Sequence, residues 1–264
     1  VYPDMIKVSV DLATGKIAGL DAKNYLEFHK DRTMPMLTLT KDAAAAHGLE
    51  FEVVESVPVH EEIKLGGKMA AEYTDVYCEN LRRLGKAGVK CVCYNFMPVF
   101  DWLRSELEHR HPDGSNSLAY DGQTVLSMDP LTSDLSLPGW DESYTKEELK
   151  NLILRYRDVG EEELWRNLAA FLHKVITAAE ESGIKMAIHP DDPPWSIFGL
   201  PRIITCAENL RRFLDIEKSE ANGLTFCTGS LGASADNDLV KMAAEFAPRI
   251  HFAHLRNVLR TGYR

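Results

Sequence analysis

The chain has no excess of positive charge. Its 264 residues carry 30 Lys and Arg against 40 Asp and Glu, a formal net charge of −10. An acidic surface repels phosphate backbones unless it holds a local basic patch. The longest basic cluster is Arg82-Arg83 with Lys86, on an expected helix, so nucleic acid is not an expected partner. Apolar runs of membrane-spanning length are also missing, and no leader-like segment opens the chain, so no membrane association is expected. Cysteine is sparse. The five residues, Cys78, Cys91, Cys93, Cys206 and Cys227, are odd in number and irregular in spacing. That disfavours a disulfide scaffold or a zinc-ribbon pattern and suits a reduced, cytoplasmic setting. Cys91 and Cys93 share one face of a strand and read as inert packing. Glycine-rich phosphate signatures are lacking too, since Cys227-Thr-Gly-Ser-Leu-Gly232 has neither the dinucleotide nor the Walker spacing. No internal repeat is evident.

What is present is an alternation of helices and strands. Lys41–His47 reads as an Ala-rich helix and 51–57 as a strand closed by Pro58. Tyr73, Val76, Tyr77, Leu81 and Leu84 place a helix over 72–86, and 89–95 is a β-branched and aromatic strand. Thr145-Lys-Glu-Glu148 is a capping box. Leu164, Leu168, Phe171, Leu172, Val175 and Ile176 give an amphipathic helix over 161–182, stopped by Gly183. Strand 184–189, helix 205–215 (a second box, Thr205 to Glu208), strand 223–227, helix 236–246 and strand 250–255 complete the series. Near-continuous apolar strands separated by helices imply a parallel sheet covered by helices. A closed (β/α) barrel needs eight strands, and five are read with assurance. Ile6, Val8 and Val10 alternate and offer one more, before a Thr14-Gly15 turn. A polar stretch at about 97–143, with Pro112-Asp-Gly114 and Leu137-Pro-Gly139, reads as a lid-like loop. Its Phe100, Trp102, Tyr120 and Trp140 argue against a disordered linker. One barrel domain over 1–264 is the expectation.

Three of these strands end in a side chain that can ligate a metal: His189, Cys227 and His254. Strand C-termini converge on one face of a parallel barrel, where such enzymes do their chemistry. Singly, each is better read as ordinary packing, but three at successive strand ends shift the balance toward a site. Asp191 and Asp192 follow His189 in a proline-stiffened turn and could accept hydrogen bonds near it. Arg256 offers a planar fork for carboxylates. Asn95 and Arg104 could bind substrate oxygens, although Arg104 could equally form a surface ion pair with Glu106 or Glu108. His60, Asp101 and Asp192 are candidates for proton transfer.

Several segments together resemble the mannonate dehydratase family: Glu55-Ser-Val-Pro-Val-His-Glu61, Val92-Cys-Tyr-Asn-Phe-Met-Pro-Val-Phe-Asp-Trp102, Leu137-Pro-Gly-Trp140, Met186-Ala-Ile-His-Pro-Asp-Asp-Pro-Pro194, Ile197-Phe-Gly-Leu-Pro-Arg-Ile-Ile204 and His254-Leu-Arg-Asn257. The resemblance spans about residues 41–258. It implies a TIM-type barrel that uses Mn²⁺ or Fe²⁺ to remove water from D-mannonate, giving 2-keto-3-deoxy-D-gluconate in hexuronate breakdown. It implies His189, Cys227 and His254 as metal ligands, with Arg256 and Asn257 just after the third. The family's fourth ligand, an aspartate in an Arg-Pro-Asp-His-Gly segment, has no counterpart here, Tyr263 has no matching context, and residues 1–40 do not match the family's opening strands. An incomplete, truncated barrel is therefore expected. The competing expectations are a metal-dependent sugar isomerase or epimerase, and an inactive barrel that only binds metal or sugar acid. The expected partners are a small sugar acid and a second copy of the chain, as a homodimer.

Overall fold

The computed structural model describes residues 7–11, 16–21, 50–131 and 145–262. The expected helix at Lys41–His47, the Leu137-Pro-Gly-Trp140 segment and Tyr263 lie outside the described residues. Two compact units divide the chain, Val1–Glu52 and Val53–Arg264, against the single unit expected over 1–264.

In the first unit, Lys7–Asp11 (β1) pairs antiparallel with Lys16–Asp21 (β2), with an irregularity between Ser9 and Val10. The alternation at Ile6, Val8 and Val10 does mark a strand. Its partner is the next strand in sequence, however, and β1-β2 form a two-stranded sheet separate from the barrel sheet, which corrects its expected place as a sixth barrel strand.

In the second unit Val53–Glu55 (β3) leads through Glu61–Lys64 (α1) and Ala70–Lys86 (α2) to Cys91–Tyr94 (β4). Glu106–Arg110 (β5) and Asn116–Ala119 (β6) form an antiparallel hairpin, followed by Gly122–Ser127 (α3). Then come Lys146–Arg155 (α4), Glu161–Glu181 (α5), Lys185–Ile188 (β7), Ala207–Ile216 (α6), Asn222–Cys227 (β8), Thr228–Leu231 (α7), Leu239–Phe246 (α8) and Ile250–His254 (β9). The order β3-β4-β7-β8-β9 makes one five-stranded sheet, parallel throughout. Every residue of β4 and β8 is buried, as a sheet covered on both faces requires. These are the five strands read from the sequence, in sequence order, and they form an incomplete TIM-type barrel.

Helix α5 shows why the core sits where it does. Leu164, Leu168, Phe171, Leu172 and Val175 bury one stripe. Glu161, Glu162 and Glu163 complement the positive end of the helix dipole, and Gly183, at φ +67°, ends the helix in the left-handed region. That stripe packs on α2 and the sheet, with Phe171 edge-on to Tyr77 at 5.0 Å and tilted against Tyr94 at 6.1 Å. The Thr145 capping box forms with both arms, Thr145 to the Glu148 backbone and Glu148 back to the Thr145 backbone. The second expected box does not form. Cys206 caps α6 without a side-chain bond, and Thr205 Oγ1 instead accepts from Asn209 Nδ2 at 3.0 Å.

The 97–143 stretch is more than a loop. Besides the hairpin and α3, it contributes Val99, Phe100, Leu103 and Val125 to a second hydrophobic cluster with Ile153, Tyr156, Ile197 and Leu200. Trp195 Nε1 donates to Tyr120 Oη at 3.0 Å, tying the turn after β7 to the hairpin. Sequence patterning missed the hairpin because its burial pattern has no apolar face.

Candidate metal centre

The parallel register decides which side chains meet. Glu55 pairs with Cys93, Cys93 with Ala187, Ala187 with Gly223, and Cys227 with His254. Side chains alternate along a strand, so Glu55, Cys93, His189 (two beyond Ala187), Cys227 (four beyond Gly223) and His254 all project from one face. Their C-terminal members gather in one place. One potential ligand atom from each of His189, Cys227 and His254 lies within 4.8 Å of the other two.

The surroundings prepare these atoms. His189 Nδ1 donates to Pro190 O at 2.7 Å, which leaves Nε2 as the nitrogen open to Cys227 or a metal. His254 Nε2 bonds Glu55 Oε2 at 2.8 Å, leaving Nδ1. Cys227 is fully buried. Burial alone would raise its pKa, but hydrogen bonds from His189 and His254, with the charges of His189 and Arg256, outweigh that and bring it to about 4. Its hydrogen bond to Cys227, then that to Glu55, lift His254 to about 9 against desolvation. The metal-free site is therefore a thiolate beside an imidazolium. Arg256 Nη2 lies 2.8 Å from Cys227 Sγ. It reaches across Gly229, where an added Cβ would come within 2.6 Å of Arg256 Nε.

A thiolate and two imidazole nitrogens suit a borderline divalent ion. Ligands on a tetrahedral ion at such bond lengths sit about 3.5 Å apart, so a small contraction from the present spacing would seat one.

Residues 30–263 match the D-mannonate dehydratase (UxuA) family, and residues 1–35 match the YpeB sporulation, PepSY1 and PepSY2 domains. Mannonate dehydratase of Oceanobacillus iheyensis is 51% identical over 228 residues, covering 86% of this chain and 65% of that protein. Mannonate dehydratase 2 of Halalkalibacterium halodurans is 51% identical over 226 residues, with 85% and 66% covered. The crystal structure of mannonate dehydratase from Streptococcus suis serotype 2 superimposes with a TM-score of 0.74 at 46% identity, covering 82% of this chain and 59% of that one. The chain belongs to the mannonate dehydratase family. It spans just under two thirds of the length of these curated relatives.

Beyond the triad, the expected site residues of this mannonate dehydratase family member fall into two groups. Arg104, Asp192 and Arg256 join the cluster. Arg104 pairs with Asp192, not with Glu106 or Glu108, through Nη1–Oδ1 at 2.7 Å and Nη2–Oδ2 at 3.0 Å. Arg256 Nη2 also reaches Asp192 Oδ2 at 3.3 Å, and Ser230 Oγ donates to the same oxygen at 3.1 Å. Burial pushes the Asp192 carboxyl up, and the Arg104 bonds and charge more than reverse that, to about 2. Asn95 follows β4, its Oδ1 accepting from Met97 N at 3.2 Å.

His60, Asp101 and Asn257 stand outside these contacts. His60 caps α1, its Nδ1 accepting from Glu62 N at 3.1 Å, and stacks on Tyr73 at 3.6 Å. Asp101 and Asn257 are exposed. Asp191 serves the fold. Its Oδ2 accepts from Ile203 N at 2.6 Å and Ile204 N at 3.0 Å, closing the turn after β7, and burial raises its pKa. Glu55 and Ser230 were not singled out from the sequence. Glu55 ends β3 as the three candidate ligands end their strands, so the same strand-end criterion, extended to carboxylates, finds it. Cys91 and Cys93 are buried and pack as expected, with Cys93 Sγ 3.0 Å from Thr225 Oγ1.

Proposed function

We propose that this chain carries the metal-binding and carboxylate-binding parts of a D-mannonate dehydratase, which eliminates water from D-mannonate to give 2-keto-3-deoxy-D-gluconate. The observation that carries this reading is the meeting of two imidazoles and a thiolate at adjacent strand ends, in a chain about half identical to proteins named mannonate dehydratase.

His189 Nε2, Cys227 Sγ and His254 Nδ1 would hold a divalent cation, Mn²⁺ or Fe²⁺, and Glu55 would keep the His254 ring turned toward it. Such an ion, once bound, supplies Lewis-acid stabilisation of charge developing on the substrate carboxylate, worth several kcal/mol. Arg104 and Arg256 face that carboxylate, and Asn95 and Asn257 contact substrate hydroxyls. The elimination removes the proton at C2 and expels the hydroxyl at C3. Asp192 is held by two guanidinium groups, and His60 Nδ1 accepts from Glu62 N, which puts the ring hydrogen on Nε2, so the Asp101 carboxylate is the candidate that remains for the C2 proton. A site with two arginines gives an acidic protein a local anion trap. We place the enzyme in the cytoplasm as a homodimer, from its free cysteines and from the outer edges of β3 and β9, which meet no further strand among the described residues.

The test is the 264-residue chain with Mn²⁺ and D-mannonate, read by product mass. Loss of one water supports dehydration. A product of unchanged mass would replace this reading with isomerisation or epimerisation, and no product would reject an active dehydratase. Cys227→Ser should retain folding and shift metal preference toward harder ions, whereas unchanged selectivity counts against thiolate ligation.

A further inference from the structure

Asp192 ties together three loops at the open end of the sheet. Its carboxylate, almost fully buried, takes Arg104 from the segment after β4, Ser230 from the turn after β8 and Arg256 from the chain after β9. A guanidinium has five N–H donors in a fixed plane. Arg104 spends two on Asp192 and a third, from Nη1, on Leu103 O at 2.6 Å. Among the described residues the other two, on Nε and the outer side of Nη2, have no partner, and they lie side by side along one edge. That edge is a ready bidentate fork. The Trp102 ring, 6.0 Å from Arg104 Cζ, flanks the same group.

Two guanidinium groups against one carboxylate leave local positive charge in a chain of net charge −10, and Arg256 Nη2 is further engaged by Cys227 Sγ and Ser230 Oγ, each at 2.8 Å. Among the described residues, Arg104 is thus the cation left with an open edge. Asp192 Oδ2 takes three donors and Oδ1 takes one, so the lone pair left for a substrate proton is on Oδ1, where protonation would work against the charged bonds from Arg104.

We propose that Asp192 is a positioning residue: it splints Arg104 so that the Nε–Nη2 edge receives the carboxylate of a sugar acid, and it anchors Arg256 against Cys227. This deepens the dehydratase reading and rests on it for the identity of the sugar acid.

Asp192→Asn places an amide N–H against arginine donors. In the ligand-free crystal structure of that variant, Arg104 should swing from its present position. Affinity for D-gluconate, an aldonate probe measured by calorimetry in the presence of Mn²⁺, should fall about ten- to a hundredfold, as loss of a charged hydrogen bond predicts. KM for D-mannonate should rise in step while kcat changes far less. Asp192→Glu should restore part of the affinity. Arg104→Lys keeps the charge but loses the fork, and should weaken D-gluconate about as much as Asp192→Asn does. The Arg104→Lys variant decides the matter if Asp192→Asn does not fold.

Arginines that stay in place in Asp192→Asn, with unchanged D-gluconate affinity and a collapse of kcat alone, would make Asp192 the proton acceptor and overturn the proposal. Unchanged D-gluconate affinity in Arg104→Lys would also overturn it, as would a wild-type chain that binds no D-gluconate. A wild type that binds D-gluconate but leaves D-mannonate unchanged defeats the dehydratase reading instead, and the two arginine tests still stand.

Discussion

Replacing Glu55 by Gln tests whether a carboxylate behind a ligand tunes the metal centre. In this protein Glu55 Oε2 lies 2.8 Å from His254 Nε2, and its own pKa is lowered, with burial opposing and the His254 hydrogen bond and charge prevailing. A carboxylate at the far nitrogen of a ligating imidazole fixes the ring's tautomer and raises its basicity, and losing such a partner costs about 10–100-fold in metal affinity. Two features place the expected effect at the lower end. The Glu55 side chain is 43% exposed, so solvent screens the pair, and glutamine can still accept one hydrogen bond through Oε1. About tenfold weaker Mn²⁺ binding, roughly 1.4 kcal/mol, is the prediction, with Glu55→Ala losing more. The assay is Mn²⁺ titration followed by the electron paramagnetic resonance of the free ion, alongside a urea melt to establish that folding is intact. Affinities within twofold of wild type for both variants would refute the claim that Glu55 supports His254 as a ligand.

Proton competition gives a second prediction. His254 is lifted to about 9 in the metal-free site, so below that value a cation must displace its proton. Mn²⁺ affinity should climb about tenfold per pH unit from about pH 6.5 and level off near 9, since Cys227, at about 4, is already a thiolate over that range; a flat profile contradicts this protonation scheme. For the core, Leu168 is fully buried on α5, and Leu168→Ala should cost about 2–5 kcal/mol in urea unfolding. A loss below 1 kcal/mol would mean that this stripe does not carry the helix onto the sheet. Acid stability supplies a fourth. The Asp192 carboxyl is depressed to about 2, so its contribution is present above the ordinary aspartate value and is lost as pH falls from about 4 toward 2. Asp192→Asn should flatten that part of the acid unfolding curve, and an unchanged curve would count against a buried ion pair there.

The five barrel strands were legible because each is a short apolar run bounded by a helix stop or a cap, and periodicity exposes such runs whatever their partners. What lay beyond reach was pairing. The β1 alternation looks the same whether the strand joins the barrel or a hairpin. The β5-β6 hairpin escaped because Glu106-Leu-Glu-His-Arg110 has mostly exposed side chains, leaving no buried face to read. The box at Thr205 failed for a local reason: Asn209 competes for the hydroxyl that would have capped the helix. At the candidate site, the three donors that meet could be named from strand ends alone, but the partner of Arg104 could not. Glu106 and Glu108 are near in sequence, whereas Asp192 is brought there by the turn that Asp191 closes through Ile203 and Ile204.

That three donors so distant in sequence share one point follows from sheet geometry, with no need for a dedicated motif. Neighbouring parallel strands lie about 4.8 Å apart, close to the spacing a single ion needs between its ligands once side chains lean inward. β7, β8 and β9 are consecutive neighbours, so one residue from the end of each arrives on the same face, provided the register gives all three the same parity. The pairings of Ile188 with Leu224 and Cys227 with His254 satisfy that condition. A slip of one residue in β8 would turn Cys227 to the opposite face. What prevents the slip is the packing on that other face, where Tyr94, Ile188 and Phe226 are buried and Tyr94 meets Phe171 of α5. The geometry of the candidate metal site is therefore held on the helix side of the sheet by residues on the opposite face. Cavity-forming changes there should disturb metal affinity as well as stability, while substitutions of exposed residues on α2, such as Val76, should disturb neither.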